Sequence, residues 1–213
     1  MKKYDNMVKN AVGRMVTNEI NGEPVIPFRG LGKYIPEGRK YAPKIYSSAN
    51  YPSDGNKLVP SLKEALIKAG LKDGMVISTH HHLRNGDIIA NEVFKIASEM
   101  GIKDLVWFPS ASFPCHESII KYLEDGTIGR IEGSMNGPLG KFCSEGKMRG
   151  IAVLRSHGGR YQAVQDGEVK IDIAVLAAPT SDSFGNANGL RGPAACGLLG
   201  FALVDSQYAD KVI

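Results

Sequence analysis

From Leu58 onward the chain alternates short apolar runs with amphipathic stretches. Leu62, Leu66 and Ala69 share one helical face, and Gly70 closes that helix. Residues 75–79, after the Asp73-Gly74 turn, are β-prone and apolar and predict a strand. Residues 88–100 predict the strongest helix: Ile89, Val93, Ile96, Ala97 and Met100 recur at helical spacing, and Gly101 ends it. A strand at 105–108, a helix at 117–123 before the Asp125-Gly126 turn, a strand at 128–131, a helix at 139–145 and a strand at 151–154 follow. Residues 171–177 form the most apolar run, the pattern of a strand covered on both faces. Residues 198–209 predict a helix, and Val212-Ile213 opens a further strand. Alternating strands and helices with continuous apolar strands indicate an α/β fold with a mostly parallel sheet and helices on both faces. Ligands of such sheets bind beyond the carboxyl ends of the strands, so the loops after Thr79, Leu154 and Ala177 are expected to carry function.

Residues 1–56 break this pattern. Gly30, Gly32, Pro36, Gly38, Pro43, Pro52 and Gly55 recur too often for a long regular element. The expected organisation is an irregular arm over 1–56, wrapping a partner or the domain's own surface, and one α/β domain over 57–213. The chain stops just as a strand begins, which suggests a piece of a longer protein.

Composition narrows the function classes. Of 213 residues, 43% are hydrophobic and 23% charged, which is ordinary for a globular domain. No apolar run approaches the ~20 residues of a membrane helix. The basic start Met1-Lys2-Lys3 is not followed by the apolar core of a signal peptide, so a cytoplasmic location is expected. A net charge of +4 suits an anionic substrate and says little for nucleic acid. Cys115, Cys143 and Cys196, odd in number and widely spaced, argue against a disulfide framework or a CxxC zinc site and predict buried or half-buried thiols.

Three loops hold candidate chemistry. In His80-His81-His82-Leu83-Arg84-Asn85-Gly86-Asp87, Gly86 and the following helix start offer backbone N–H groups to an anion, and Arg84 suits a carboxylate. Neighbours on an extended segment face opposite ways, so the three histidines are not expected to share a metal, and Asp87 reads as a helix cap. In Ser156-His157-Gly158-Gly159-Arg160 the paired glycines admit close backbone approach, although a tight turn with solvated His157 and Arg160 is the plainer alternative. Ser156 and His157, being adjacent, do not form a catalytic dyad. In the third loop Asp182, Asn186 and Asn188 are suited to fixing the loop's own backbone. Cys196 has no histidine near it in sequence to activate it. Neither a GxGxxG nor a GxxxxGK[ST] pattern is present. The residues alone reach an α/β enzyme that binds an anionic or carbonyl-bearing ligand.

The three loops, with Gly192-Pro193-Ala194-Ala195-Cys196-Gly197 and Gly38-Arg39-Lys40-Tyr41-Ala42-Pro43, resemble landmarks of the citrate lyase alpha subunit family, in that family's order. The resemblance implies a CoA-transferase-like fold, and His80-His81-His82 stand where ordinary CoA-transferases carry glycine-rich sequence. It implies an acyl carrier protein transferase: citrate displaces acetate from an acetyl thioester, and a separate lyase subunit cleaves the citryl thioester. The implied partners are citrate, the carrier protein and the citryl lyase subunit in an oligomer. No cofactor is held permanently; the thioester rides on a phosphopantetheine-type, dephospho-CoA-derived group of the carrier.

On that basis Gly158, Gly159 or the helix start near Gly86 would hold a developing oxyanion, Arg84 or Arg160 would clamp a carboxylate, and His80 and His81 would donate hydrogen bonds. Ser156, His157, Asn186 and Asn188 complete the candidate substrate- or thioester-binding set, with no catalytic residue assigned. The family's alpha subunit is about twice this length, with a second similar half, so inactivity of this piece alone is one expectation. Two other readings stand beside it. One is a different short-acid CoA-transferase, which the histidine-rich loop opposes. The other is a non-catalytic docking half, which the irregular first segment favours.

Overall fold

The computed structural model describes residues 6–27, 55–80 and 83–213. The described part of the arm is not wholly irregular. β1 (Met7–Lys9) pairs antiparallel with β2 (Met15–Thr17), and β3 (Glu19–Ile20) with β4 (Glu23–Pro24). Asn21 and Gly22 join the second pair with φ of 51° and 84°, the positive values that a two-residue Asn-Gly hairpin turn requires. The Asn21 amide also donates to the carbonyls of Met148 and Gly150 at 3.0 and 3.2 Å, seating the hairpin on the main domain.

The main domain begins with α1 (Leu62–Ala69). Ser61 caps it by accepting from Glu64 N, and Gly70 ends it in the left-handed conformation. β5 (Val76–His80), a 3₁₀ turn (Arg84–Gly86), α2 (Ile89–Glu99) and β6 (Leu105–Trp107) follow. A second 3₁₀ turn (Pro114–Ile119) leads into α3 (Ile120–Glu124), then β7 (Ile128–Gly133), α4 (Gly137–Ser144) and β8 (Val153–Leu154). The chain continues through α5 (His157–Gln165), β9 (Ile173–Leu176), the small hairpin of β10 (Thr180–Ser181) and β11 (Ala187–Asn188), α6 (Gly200–Tyr208) and β12 (Lys211–Val212). Among the described residues no helix is long and apolar enough to cross a membrane.

Six strands form one sheet in the order β12-β9-β5-β6-β7-β8, and every pairing is parallel. Strand alternation sends side chains to both sides. Ile77, Trp107, Ile173 and Val175 join one core with Leu66, Val93, Phe94 and Leu139 of the helices α1, α2 and α4. Ala174, Leu176 and Phe108 join a second core with Ala163, Val164 and Val204 of α5 and α6. The sheet is therefore covered by helices on both faces, as its continuous apolar strands require.

One helix departs from the sequence expectation. Residues 157–165 form α5, where a loop is the simpler reading. Gly158 and Gly159 weaken helix propensity, and the inward face is built from Ala163, Val164 and a charged residue, Arg160, so the apolar period is hidden.

The strand order sets the site. From β5 the chain runs outward through β6, β7 and β8, then returns past β5 to β9 and β12. Connections beyond β5 and β9 thus leave in opposite directions, which opens a crevice at their carboxyl ends. Gly133, at the end of β7, brings its backbone against the segment after β6. Its φ is 157°, and a Cβ there would lie 2.5 Å from the Pro109 carbonyl oxygen. Gly133→Ala is expected to destabilise the fold by about 2–3 kcal/mol in urea unfolding. Wild-type stability in that variant would show that the close approach at Pro109 is dispensable.

Candidate functional site

A pocket of about 310 Å³ lies at this crevice. His80 enters it from the end of β5, Arg84 from the first 3₁₀ turn, and Ser110, Ala111 and Phe113 from the segment after β6. His157, the first residue of α5, and Cys196, Leu198, Leu199, Gly200 and Phe201 at the approach to α6 complete the wall. A larger depression of about 970 Å³ spans Val76 and Val106 at the starting ends of β5 and β6, the opposite end of the sheet from where parallel sheets bind ligands.

The floor of the pocket is tied by a buried charge network. The Arg160 guanidinium makes a two-pronged pair with Asp205 of α6, at 2.9 and 2.8 Å. It also donates to Ser78 Oγ of β5 at 2.9 Å and to the carbonyls of Phe108 and Pro109 at 3.0 and 3.2 Å. Ser78 Oγ in turn donates to Asp205. Arg160 is 1% exposed and Asp205 0%. The guanidinium stacks 4.2 Å from the Phe108 ring centre and 5.4 Å from that of Phe201.

This corrects the reading of Arg160 as a substrate clamp or a solvated turn residue. An incoming carboxylate would have to displace Asp205, and the Phe108 and Phe201 rings flank the guanidinium. Arg160 instead locks α5, α6, β5 and the segment after β6 together.

Arg84 is placed differently. It is exposed, adopts φ 52°, and its guanidinium lies 5.6 Å from the Phe113 ring centre on the pocket wall. Its turn is held from beneath by a second buried pair. Asp87, one residue before the Ile88 N-cap of α2, accepts from Ile89 N at 3.0 Å and contacts His116 Nε2 at 2.9 Å. His116 Nδ1 accepts from Phe113 N at 2.9 Å, so the ring proton sits on Nε2 and is donated to Asp87. Both ring nitrogens of His116 are thereby committed to structure. Cys115 N donates to Asn85 Oδ1 at 3.0 Å, and burial together with the Asp87 charge pushes the Cys115 thiol up from its ordinary value.

The two helices at the pocket present their N-termini to it. Ser156 caps α5, its hydroxyl accepting from Gly159 N at 3.1 Å. The first-turn N–H groups of His157 and Gly158 have no intrahelical acceptor by helix geometry. α6 starts at Gly200 with no side-chain cap, so its first N–H groups are likewise open. Both helices are nine residues long, and each brings partial positive charge to its start. The Phe201 ring stands beside both His80 and His157, with centres 6.0 and 5.1 Å apart.

The structure thus brings His80, Arg84 and His157 together, with Gly158 beside His157 in the first turn of α5. Gly86 N is bonded to Leu83 O at 3.0 Å inside its own turn, so it is no oxyanion donor. Gly159 N is spent on Ser156, which removes Gly159 as a donor and makes Ser156 a cap. Asn186 bonds Asp182 through its side chain, Asn188 accepts from Leu190 N, and neither lines the pocket. His81 lies outside the described residues. Cys196 is exposed on the pocket wall, a correction to the half-buried thiol expected. His80 and His157, remote in sequence, share that wall. Ser110, Phe113 and Phe201 were not singled out from sequence. The available signal was that residues 109–113 follow the strand next to β5. Among the described residues no group of three His, Cys, Asp or Glu side chains is arranged to hold a metal ion.

The family model described as "Citrate lyase, alpha subunit (CitF)" matches residues 55–213. The chain is similar to the citrate lyase alpha chain of Haemophilus influenzae, 42% identical over 172 residues, which are 80% of this chain and 34% of that one. It is also 42% identical to the citrate lyase alpha chain of Escherichia coli over 158 residues, 74% of this chain and 31% of that one. A solved structure from Streptococcus mutans, named for the alpha subunit of citrate lyase and in complex with citrate, superposes with a TM-score of 0.76 at 42% identity. The match covers 84% of this chain and 35% of that one. The chain spans about a third of the length of the curated relatives it matches.

Two outcomes are expected from this geometry. Arg160→Leu leaves the Asp205 carboxylate buried without its cation and should cost about 3–5 kcal/mol in urea unfolding. Arg84→Leu, at an exposed site, should change stability by less than about 0.5 kcal/mol. Equal effects would contradict the division of labour between the two arginines. Separately, the Asp182 carboxylate accepts from Asn186 Nδ2, Asn186 N and Phe184 N, and these bonds hold it below the usual carboxylate range. A lowered folded value means that the loop's order is full above the unfolded value, about 3.9, and lost as pH falls through the folded one. NMR shifts of the Phe184 and Asn186 amides should hold at neutral pH and move only below that range.

Proposed function

The chain belongs to the citrate lyase alpha subunit family, and from that premise we propose that it serves in transferring an acyl carrier protein from acetate to citrate, with the His80–Arg84–His157 pocket receiving the acceptor carboxylate. The observation that carries this reading is the convergence of two helix starts and one exposed guanidinium on a single small cavity. All three favour an anion. A volume of about 310 Å³ sits at the small end of the range for ligand pockets, roughly 300–1,000 Å³, and suits a short polycarboxylic acid. That the similar Streptococcus mutans protein was solved in complex with citrate supports citrate as that acid.

The chemistry follows from what the pocket offers. One citrate carboxylate oxygen attacks the carbonyl carbon of the acetyl thioester, and negative charge develops on the carbonyl oxygen. Collapse expels the carrier thiolate and leaves a mixed citryl–acetyl anhydride. The thiolate then attacks the citryl carbonyl carbon, acetate departs, and the citryl thioester is formed. The N–H groups at the start of α5 stabilise the developing oxyanion, because preorganised donors in a sheltered site outperform water. Arg84 holds a second carboxylate of citrate in a two-pronged grip. His80 and His157 donate hydrogen bonds along the acid, and Phe201 with Leu199 shields the anhydride from hydrolysis. The thioester arrives on the phosphopantetheine-type, dephospho-CoA-derived arm of a carrier protein, and a citryl lyase subunit consumes the product.

Isothermal titration of the chain with citrate, then with acetyl-CoA as a carrier mimic, tests the reading. Citrate binding that weakens roughly 10- to 100-fold in Arg84→Leu is expected. An unchanged citrate affinity in that variant removes Arg84 as the clamp. Thioester binding without citrate binding moves the acceptor site off this pocket. Binding of neither, with retention of a carrier protein in a pull-down, favours a docking role.

A further inference from the structure

We propose that Ser110 is an acceptor-binding residue of this pocket, its hydroxyl donating to a carboxylate oxygen seated at the open start of α6. The proposal rests on the reading that the pocket takes a carboxylate. It adds a residue that neither the sequence motifs nor the arginine argument singled out.

Ser110 is 4% exposed and lines the pocket, yet its Oγ has no hydrogen-bond partner among the described residues. The two other buried serines near it are satisfied. Ser78 Oγ bonds Asp205 and Arg160, and Ser112 Oγ donates to Asn136 O and accepts from Asn136 N. Asn18, Asn91 and Thr127 also bury an unpaired oxygen, but none of them lines this cavity. A hydroxyl withdrawn from water without a partner is a cost that a ligand can remove. Ser110 lines the same cavity as Gly200 and Phe201, the first residues of a nine-residue helix that has no side-chain cap. A carboxylate is acceptor-only, so one oxygen there takes the Ser110 O–H while the other lies against the α6 N–H groups.

The position of Ser110 is set by structure rather than by the ligand. Its N–H reaches Thr79 O at 3.4 Å, at the end of β5. The two residues before it, Phe108 and Pro109, both give their carbonyls to Arg160. Gly133 packs its backbone against the same Pro109 oxygen. The donor is therefore held in place before an acid arrives, which is the condition for an effective contact.

Ser110→Ala and Ser110→Thr, compared with the wild-type chain, test this with citrate by calorimetry, with acetate by NMR titration and with thermal unfolding. Ser110→Ala should weaken citrate binding roughly 10- to 100-fold while leaving the melting temperature unchanged or higher, because an unpaired buried hydroxyl is being removed. Ser110→Thr should recover part of the affinity. Wild-type citrate affinity in Ser110→Ala overturns the proposal and leaves the acceptor pocket standing. A lowered melting temperature in Ser110→Ala also overturns it, since the hydroxyl would then be structural. A wild-type chain that binds acetate but not citrate, with acetate lost in Ser110→Ala, upholds Ser110 and overturns citrate as the acid. A wild-type chain that binds neither anion overturns both.

Discussion

Arg160 and Asp205 are charges in a place where charge is expensive, and the arrangement of the pocket depends on how that cost is met. Isolated, either ion would lose several kcal/mol of hydration on burial. Together they satisfy each other in two-pronged fashion, and Ser78, Phe108 O and Pro109 O take the remaining donors of the guanidinium. The five groups come from α5, α6, β5 and the segment after β6. Helix starts, strand end and loop are thus fixed relative to one another by a single guanidinium, and apolar packing alone would not specify that register as tightly.

The Arg84 side of the pocket has its own support. The Asp87–His116 pair anchors the 3₁₀ turn to the segment at 113–116, with Trp107 edge-on to the His116 ring at 5.7 Å. A buried pair therefore stands behind each wall. One fixes donors that belong to the backbone, and the other presents a cation that remains exposed. The parallel sheet supplies the third constraint, because its strand order opens the crevice where the two supported walls meet. Among the described residues, Ser110 lines this anion pocket with a buried hydroxyl that has no hydrogen-bond partner.

The fold was largely legible in the sequence because its signals are local. Leu62, Leu66 and Ala69 with Gly70 specify α1, and the apolar runs at β5, β6, β7 and β9 specify a doubly covered sheet. α5 was hidden because its core-facing arginine broke the apolar period, and only the distant Asp205 explains why a charge sits there. For the same reason Arg160 read as a clamp: its partner lies 45 residues away. His80, Arg84 and His157 were readable as loop residues at strand ends. Ser110 was not, since its significance lies in a hydrogen bond it lacks, and that is a property of packing rather than of sequence. The hairpin at Asn21-Gly22 was the reverse case, a local turn signal obscured by the glycine- and proline-rich stretch after it.

The most direct measurement is a crystal structure of the chain grown or soaked with citrate. Citrate is expected in the pocket between the Arg84 guanidinium and the starts of α5 and α6, with one carboxylate oxygen within about 3 Å of Ser110 Oγ and the Arg160–Asp205 pair intact beneath it. Citrate bound elsewhere on the chain, or reached by an Arg160 that has left Asp205, would contradict that expectation.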